Sequence, residues 1–263
     1  MRERWRPRAD QGERELFPPD WLVTVDYTDT PLGALKSGKE SDVQLVARSA
    51  HGRTSLLAEK RFKAFDRRLF RDTYTYAGGW GEGGRHESRA MKKNTRFGQE
   101  HRHRRWIANE WANLLHLYAA GVTVPPPVEL LEDGYLMAFI GDGMTAAPRL
   151  EAVDLDRPTA ARVWDELVEE IALMLAAERV HGDLSAYNVL WWRERAVLID
   201  FSQTVEIVTH PAARELLVRD ITSLATYFRR RGVAIDIAGV LARVGADEQL
   251  FTHQALRTPP RRA

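Results

Sequence analysis

Hydrophobic and polar residues alternate along the first part of the chain, and this two-residue period is typical of β-strands. The segments WLVTVDY, LGALKSG, DVQLVARS and TSLLAEKRF follow one another between Trp21 and Phe62, with turn residues such as AHGR between them. YLMAFIG, directly after Asp133-Gly134, repeats the pattern later in the chain. We therefore predict an antiparallel sheet in the first half.

Apolar residues recur at helical spacing in the later segments. A first helix ends before Gly121 and three prolines, and its apolar stripe consists of Ile107, Trp111, Leu114, Leu115 and Tyr118. RPTAARVWDELVEEIALMLAAERV predicts a second helix, and a third runs from Pro211 to Gly232. VLWW and AVLID predict a short hairpin between them, and a last short helix covers about residues 235–244. The second half is therefore predicted to be mainly helical.

This order of elements predicts an α+β fold with two lobes. The first lobe, residues 21–140, holds the sheet and one helix, and the second, residues 141–263, is mainly helical. Residues 1–20 mix Arg, Glu and Pro without periodicity and predict a mobile arm. Residues 72–105 are rich in glycine and then in basic residues, which predicts a long flexible insertion in the first lobe.

Composition narrows the classes of protein to consider. The chain has 263 residues, 44% of them hydrophobic, a net charge of +1 and no cysteine. It can bury a core, and it holds neither a disulfide framework nor a zinc–thiolate site. No stretch approaches the roughly 20 apolar residues that span a bilayer, and the charged N-terminus is no signal peptide. We expect a cytoplasmic protein without a membrane partner.

The chemistry is concentrated in VHGDLSAYNVLWWRERAVLIDFSQTVE, residues 180–206. Asn188 lies five residues after Asp183, and Asp200 lies twelve residues after Asn188. Carboxylate and amide oxygens suit Mg²⁺, and the spacing follows the protein-kinase pattern of a catalytic Asp, an Asn and an Asp-Phe pair. These residues predict a magnesium site for phosphoryl transfer from ATP. The alternative is a solvated hairpin with acidic turn residues.

The first half supplies candidates for the remaining parts of such a site. Lys60 lies on a predicted strand, and Lys63 competes with it three residues later. Glu110 lies at the edge of its helix's apolar stripe, so it needs a partner, and Lys60 is the natural one. The alternatives are a surface lysine and a solvated glutamate.

Three further features support the same chemistry. The turn that contains Ser37, Lys39 and Ser41 can place backbone N–H groups and a hydroxyl on phosphate, although a plain hairpin turn explains it equally. Asp220, three residues after Leu217, can hold the backbone of the catalytic loop, or it can form a salt bridge at the helix edge. His181 belongs to no metal-ligand triplet, so we interpret it as a structural support of the loop.

With these residues assembled, the chain resembles the RIO family of atypical protein kinases, closest to the type-1 branch and to a short bacterial or archaeal form. The resemblance covers roughly residues 22–231. It is carried by SGKESDV, AEKRFK, WIANEWANLLHLYAAGVTVPPPV, YLMAFIG, VHGDLSAYNVLWW and VLIDFSQTVE…HPAARELLVRDI. It implies a two-lobed, ATP-dependent serine/threonine protein kinase or ATPase without an activation segment, and about nine residues separate Asp200 from His210 here.

The resemblance also implies roles for individual residues. Ser41 would contact the ATP phosphates, Lys60 would bind the α- and β-phosphates, and Glu110 would hold Lys60. Asp183 would be the catalytic base. Asn188 and Asp200 would bind Mg²⁺, with Mn²⁺ as an alternative, and Asp200 is also implied as a phospho-acceptor. The adenine pocket would be lined by Met137, Phe139 and Ile140.

Other functions stay open at this point. Small-molecule phosphotransferases of the aminoglycoside or choline type share several of these motifs, but they often have a His where this chain has Ser185. A non-catalytic nucleotide-binding scaffold is a second alternative. Residues 85–105 hold eight Lys or Arg against two Glu, which indicates an RNA or ribosomal partner or a solvated loop that covers the ATP site. The protein substrate is unknown.

Overall fold

The computed structural model describes residues 16–63, 96–246 and Phe251, and for residues 96–103 it describes the backbone alone. The predicted arm up to residue 15, and residues 64–95, lie outside the described residues. The described chain forms two compact units, one built from residues up to 147 and one from residue 148 onward. Within it, none of the helices has the length and apolar character needed to cross a membrane.

The first unit is built on a five-stranded antiparallel sheet, as predicted. The strand order is β1-β2-β3-β5-β4, and each neighbouring pair is antiparallel. A small hairpin of two strands, β6 and β7, each two residues long, follows the sheet. The strands are β1 (Thr28–Ser37), β2 (Ser41–Ala50), β3 (Arg53–Phe62), β4 (Pro127–Leu130), β5 (Gly134–Ala138), β6 (Gly141–Asp142) and β7 (Thr145–Ala146).

The strand predicted for WLVTVDY is wrong, because residues 21–27 consist of bends and irregular chain. Their apolar residues serve a different purpose. Trp21 and Leu22 pack as a loop against a buried cluster on one face of the sheet, which consists of Val46, Leu57, Val128 and Leu136. The sequence also gave no strand signal for β4, since Pro127 opens it. Proline is tolerated there because β4 is an edge strand.

One long helix, α1 (Arg96–Ala119), completes the first unit. Its predicted apolar stripe is confirmed for Ile107, Trp111 and Leu114, which are buried, whereas Leu115 and Tyr118 are only partly buried. Leu117, which was not part of the predicted stripe, is fully buried. The helix begins at Arg96, so the predicted insertion over residues 72–105 is wrong for its last ten residues. The basic stretch carries no apolar stripe, yet it continues the backbone hydrogen bonding of the packed turns that follow.

The second unit contains the predicted helices and hairpin. The helices are α2 (Arg157–Ala176), α3 (Ala213–Arg229) and α4 (Ile237–Arg243). Trp164 of α2 meets Phe228 of α3 edge-on, with ring centroids 5.4 Å apart. Asp156 caps α2 by accepting a hydrogen bond from the N–H of Thr159 at 2.9 Å.

Two small antiparallel pairs carry the chemically important segment of this unit. β8 (Arg179–Val180) pairs with β11 (Val205–Glu206), and β9 (Val189–Trp192) pairs with β10 (Arg195–Leu198). The turn between β9 and β10 consists of Arg193 and Glu194, whose φ angles of 50° and 58° are those that a tight two-residue hairpin requires. The residues from 181 to 204 are therefore anchored by strand pairing at both ends and in the middle.

The sheet cluster should dominate the stability of the first unit. Leu57 is fully buried, so we expect Leu57→Ala to lower the free energy of unfolding by about 2–5 kcal/mol. Leu32→Ala removes the same atoms from a side chain that is 43% exposed and should change stability by less than about 0.5 kcal/mol. Urea denaturation of both variants measures the difference. Equal losses would contradict this account of the core.

Candidate active site

The first group of predicted site residues is a buried ion pair in the first unit. The Nζ of Lys60 lies 2.6 Å from Oε1 of Glu110, and the two residues are 8% and 0% exposed. The hydroxyl of Tyr135 donates to the same oxygen at 3.0 Å. Lys60 on β3 and Tyr135 on β5 are paired directly in the sheet, so both face α1, which carries Glu110. The predicted pairing of Lys60 with Glu110 is present.

The charged neighbours of Lys60 point to the opposite face of the sheet, because side chains alternate along a strand. Glu59 is buried there, and it accepts hydrogen bonds from Gln44 and, at 2.7 Å, from Nε of Arg61. Arg61 also reaches Asp133 at 3.0 Å. The three consecutive charged residues Glu-Lys-Arg of this strand therefore belong to two separate charge networks, one on each face of the sheet.

The turn between β1 and β2 contains Ser37, Lys39 and Ser41. The N–H of Gly38 donates to the carbonyl of Ser41 at 2.9 Å, which closes the turn. Lys39 is exposed and Ser41 is partly buried. Lys63, the predicted competitor of Lys60, does not take the place of Lys60 beside Glu110. Its Nζ instead donates to the carbonyl of Gly38 at 2.7 Å.

The predicted adenine-contacting residues lie at the end of β5. Met137 is partly buried on the strand, and Phe139 and Ile140 follow it and are each 4% exposed. The N–H of Phe139 donates to the carbonyl of Leu56 on β3 at 3.1 Å. Ile140 accepts a hydrogen bond from the N–H of Ala147 at 3.0 Å. Their role in holding adenine stays a prediction.

The second group of predicted residues is a loop in the second unit that leaves β8 at His181. Asp220 of α3, which is 2% exposed, accepts hydrogen bonds from the N–H groups of Gly182 at 2.8 Å and Leu184 at 3.1 Å. Arg219 donates to the carbonyl of Gly182. Gly182 has φ of 79°, and a Cβ there would lie 2.3 Å from the carbonyl oxygen of Gln203. Only glycine fits this position.

Asp183 projects from the fixed loop with an exposed side chain. The buried amide of Asn188 donates through Nδ2 to the carbonyl of Asp183 at 2.8 Å and to its Oδ2 at 3.1 Å. The Asp183 carboxylate is therefore oriented from one side while it keeps an oxygen for a further partner. The amide nitrogen of Asn188 faces Asp183, so its side-chain oxygen faces away from Asp183.

Asp200 and His181 are linked through the backbone that precedes Asp200. The N–H of Ile199 donates to the carbonyl of Asn188 at 3.0 Å, and Nε2 of His181 donates to the carbonyl of Ile199 at 3.2 Å. Asp200 itself has φ of 71° and is partly buried. Burial lowers the pKa of His181, so the ring is neutral and serves as a brace for this segment.

The side-chain oxygens of Asn188 and Asp200 are of the chemical kind that a hard divalent cation binds. The Asn188 side-chain oxygen is turned away from Asp183 by the two hydrogen bonds of its nitrogen, and Asp200 offers a carboxylate from the segment tied to the Asn188 backbone. Magnesium in nucleotide enzymes commonly takes one or two protein ligands of this kind and completes its shell with phosphate oxygens and water.

Two residues of this arrangement were missed by sequence reasoning. Tyr135 supports Glu110, and Arg219 binds the carbonyl of Gly182. Tyr135 could have been found from the predicted strand only if its register with β3 were known. Arg219, directly before Asp220, looks in the sequence like any basic residue of a helix surface.

Removal of Glu110 should lower the free energy of unfolding, because one charge of the buried pair loses its partner. Glu110→Ala leaves the Lys60 ammonium buried without its carboxylate, so we expect a loss of about 3–5 kcal/mol in the free energy of unfolding. The double variant Lys60→Met, Glu110→Leu removes both charges and should recover most of that loss. Urea denaturation of the three proteins measures it. A double variant no more stable than Glu110→Ala would contradict the argument.

Asp220 should make stability depend on pH in a way that its amide variant does not. Burial raises the pKa of Asp220 to about 7, against the lowering effect of its two backbone hydrogen bonds and Arg219. The folded protein then takes up a proton below about pH 7, whereas an unfolded aspartate does so only near pH 4. This group therefore adds stability as pH falls from about 7 to about 4.

The measurement is the difference in unfolding free energy between wild type and Asp220→Asn at a series of pH values. It should shift in favour of wild type as pH falls from 7 to 5, by at most about 1.4 kcal/mol per pH unit. Other titrating groups cancel in the difference. A difference that stays constant from pH 5 to pH 8 would contradict the raised pKa.

A family model described as the RIO domain matches residues 61–239. RIO-type serine/threonine-protein kinase Rio1 of Thermoplasma acidophilum is 34% identical over 131 residues, which cover 50% of this chain and 67% of that protein. Rio1 of Haloferax volcanii is 36% identical over 145 residues, covering 55% of this chain and 49% of that protein.

Human serine/threonine-protein kinase RIO1 is 30% identical over 212 residues, which cover 77% of this chain and 34% of that protein. The chain thus spans from about a third to two thirds of the lengths of these relatives. The family match includes Glu110, Asp183 and Asp220, and it begins directly after Lys60. The family match and the identity to these relatives point to the same family, so the chain belongs to the RIO family of kinases.

Proposed function

We propose that this chain is an ATP-dependent serine/threonine protein kinase that transfers the γ-phosphoryl group of ATP to a protein hydroxyl. The observation that carries the proposal is the loop of Asp183, whose carboxylate is exposed while the loop is held by Asn188 and Asp220. A general base must keep a fixed position and remain accessible to an incoming hydroxyl. The relatives named above are all called serine/threonine-protein kinases.

In this reaction Asp183 takes the proton of the acceptor hydroxyl. The hydroxyl oxygen forms a bond to the γ-phosphorus, the bond from that phosphorus to the bridging oxygen of ADP breaks, and ADP leaves with the electron pair. One Asp183 oxygen accepts the Asn188 amide, which leaves the other for the hydroxyl. Positioning and electrostatics supply most of the rate in such transfers.

The first unit supplies groups for the nucleotide. Lys60 is assigned to the α- and β-phosphates, and Glu110 with Tyr135 fixes its ammonium. The turn that holds Ser37, Lys39 and Ser41 is assigned to the phosphates. Met137, Phe139 and Ile140 are assigned to adenine. We further propose that residues 21–140 and 141–263 serve as the nucleotide-binding and catalytic lobes.

Kinases of this family use ATP and a divalent metal ion. We assign Mg²⁺, with Mn²⁺ as its substitute, to the side-chain oxygens of Asn188 and Asp200. When bound there, the ion would neutralise charge on the ATP phosphates. The residues of the chain hold and orient those two oxygens through the Asn188 amide hydrogen bonds, the Ile199 backbone and the His181 brace.

The alternatives are less well supported. A small-molecule phosphotransferase would share the catalytic loop, but the relatives are named protein kinases. A non-catalytic scaffold would have no need for an oriented, exposed Asp183. An RNA or ribosomal partner at residues 85–105 stays a prediction, since residues 85–95 lie outside the described part of the chain. The reaction needs ATP, so we place it in the cytoplasm.

The test is a transfer assay with γ-labelled ATP and Mg²⁺, with the chain itself and a general protein acceptor as substrates. Wild type should incorporate label. Asp183→Ala and Asp200→Ala should each fall by at least about 100-fold, because they remove the base and a metal ligand. Asp154→Ala, an exposed aspartate outside the site, is the matched control and should match wild type. Equal labelling of wild type and Asp183→Ala would rule out the mechanism.

The stability of the label identifies the acceptor. A phosphoester on Ser or Thr resists acid and hydroxylamine, whereas an acyl phosphate on Asp200 is released by hydroxylamine. Label that is released by hydroxylamine and that maps to the peptide containing Asp200 would assign Asp200 as the phospho-acceptor.

A further inference from the structure

Lys63 is the first residue after β3, and both its backbone and its side chain are tied to the turn between β1 and β2. Its N–H donates to the carbonyl of Glu40 at 2.9 Å, which continues the β2–β3 pairing by one residue. Its Nζ lies 2.7 Å from the carbonyl oxygen of Gly38, 3.0 Å from Oδ1 of Asp42 and 3.3 Å from Oγ of Ser37. Three oxygens thus match the three hydrogens of the ammonium.

Asp42 and Ser37 complete this arrangement, which we call the turn clasp (Ser37, Asp42 and Lys63). The Ser37 hydroxyl donates to Oδ1 of Asp42 at 2.5 Å, so its single hydrogen is used within the clasp. The Ser37 hydroxyl and then the Lys63 ammonium lower the pKa of Asp42, which keeps its carboxylate charged. The charged Asp42 in turn holds Lys63 over the turn.

The clasp sets the direction of one peptide group. No cis peptide occurs in the described chain, so the carbonyl of Gly38 and the N–H of Lys39 point in opposite directions. Since Lys63 binds that carbonyl, the Lys39 N–H is directed away from Lys63. A backbone N–H presented by a tight turn is a donor that phosphate oxygens bind well.

The clasp also balances charge beside the turn. Asp42 is half exposed, with 51% of its side chain accessible, and Lys63 is its cation at 3.0 Å. Without Lys63, a free carboxylate would stand next to the turn and repel an approaching triphosphate. Lys60 cannot replace it, because its ammonium is bound to Glu110.

We propose that Lys63 is a positioning residue for the nucleotide phosphates, acting through the Gly38–Lys39 peptide and through neutralisation of Asp42. This inference rests on the proposed function, since it assigns the turn to ATP phosphates. The two lysines of the strand then have separate tasks: Lys60 contacts phosphate, and Lys63 shapes the turn that does so. Adenosine has no phosphate, so its binding does not depend on the clasp.

The experiment compares ATP and adenosine binding by calorimetry in the full chain, together with KM and kcat for ATP. Lys63→Ala should raise the Kd and KM for ATP about tenfold while kcat and the Kd for adenosine stay within about twofold. Lys63→Arg keeps the cation and should recover part of the loss. Asp42→Asn combined with Lys63→Ala removes the free carboxylate and should also recover part of it.

Arg53→Ala is the matched control. Arg53 lies at the other end of β3 and forms a surface ion pair with Asp20 at 3.3 Å, so its removal changes the net charge equally without touching the turn. Its ATP affinity should equal that of wild type. A Lys63→Ala variant that binds ATP as wild type does would overturn the proposal, and so would equal losses for ATP and adenosine. A wild type that binds neither ligand would overturn the proposed function itself.

Discussion

The carboxylate of Asp220 is the contact on which the candidate catalytic loop depends. It is almost fully buried and accepts two backbone N–H groups of the loop that carries Asp183. A buried carboxylate is costly unless hydrogen bonds satisfy it, and buried N–H groups carry the same requirement. The two hydrogen bonds offset part of the cost of burying Asp220 and satisfy both N–H groups, and they hold the loop from which Asp183 projects into solvent.

The loop needs these hydrogen bonds because its backbone has an unusual conformation. Gly182 has positive φ and approaches Gln203 so closely that no side chain fits, and Asp200 also has positive φ. Such conformations persist only where the surroundings determine them. Here they are determined by Asp220, by the β8–β11 and β9–β10 pairs, and by the neutral ring of His181.

In the first unit, the alternation of side chains along β3 places neighbouring charged residues on opposite faces of the sheet. Glu59, Lys60 and Arg61 are three consecutive charged residues of β3, and each has a partner on its own face: Glu59 with Gln44 and Arg61, and Lys60 with Glu110 and Tyr135. Lys63, beyond the last residue of the strand, pairs with the turn. The four charged residues between positions 59 and 63 therefore form three separate sets of contacts, one on each face of the sheet and one at the turn.

Hydrophobic periodicity and motif spacing alone predicted much of the fold and of the candidate site. The consecutive strands β1 to β3, the stripe of α1, the β9–β10 hairpin and the spacing of Asp183, Asn188 and Asp200 depend on residues close in sequence, and periodicity reports such relations directly. Pairing of Lys60 with Glu110 was also predictable, because an acid at the edge of an apolar stripe requires a cation.

Only the tertiary structure decided the rest. WLVTVDY has the alternation of a strand, yet packing of Trp21 and Leu22 on the sheet cluster makes it a loop. The faces of Glu59 and Arg61, the place of Tyr135 beside Glu110 and the attachment of Lys63 to Gly38 follow from strand register and turn closure. The sequence by itself determined which residues are candidates for the chemistry. Their partners were decided by contacts between distant segments, which local periodicity does not encode.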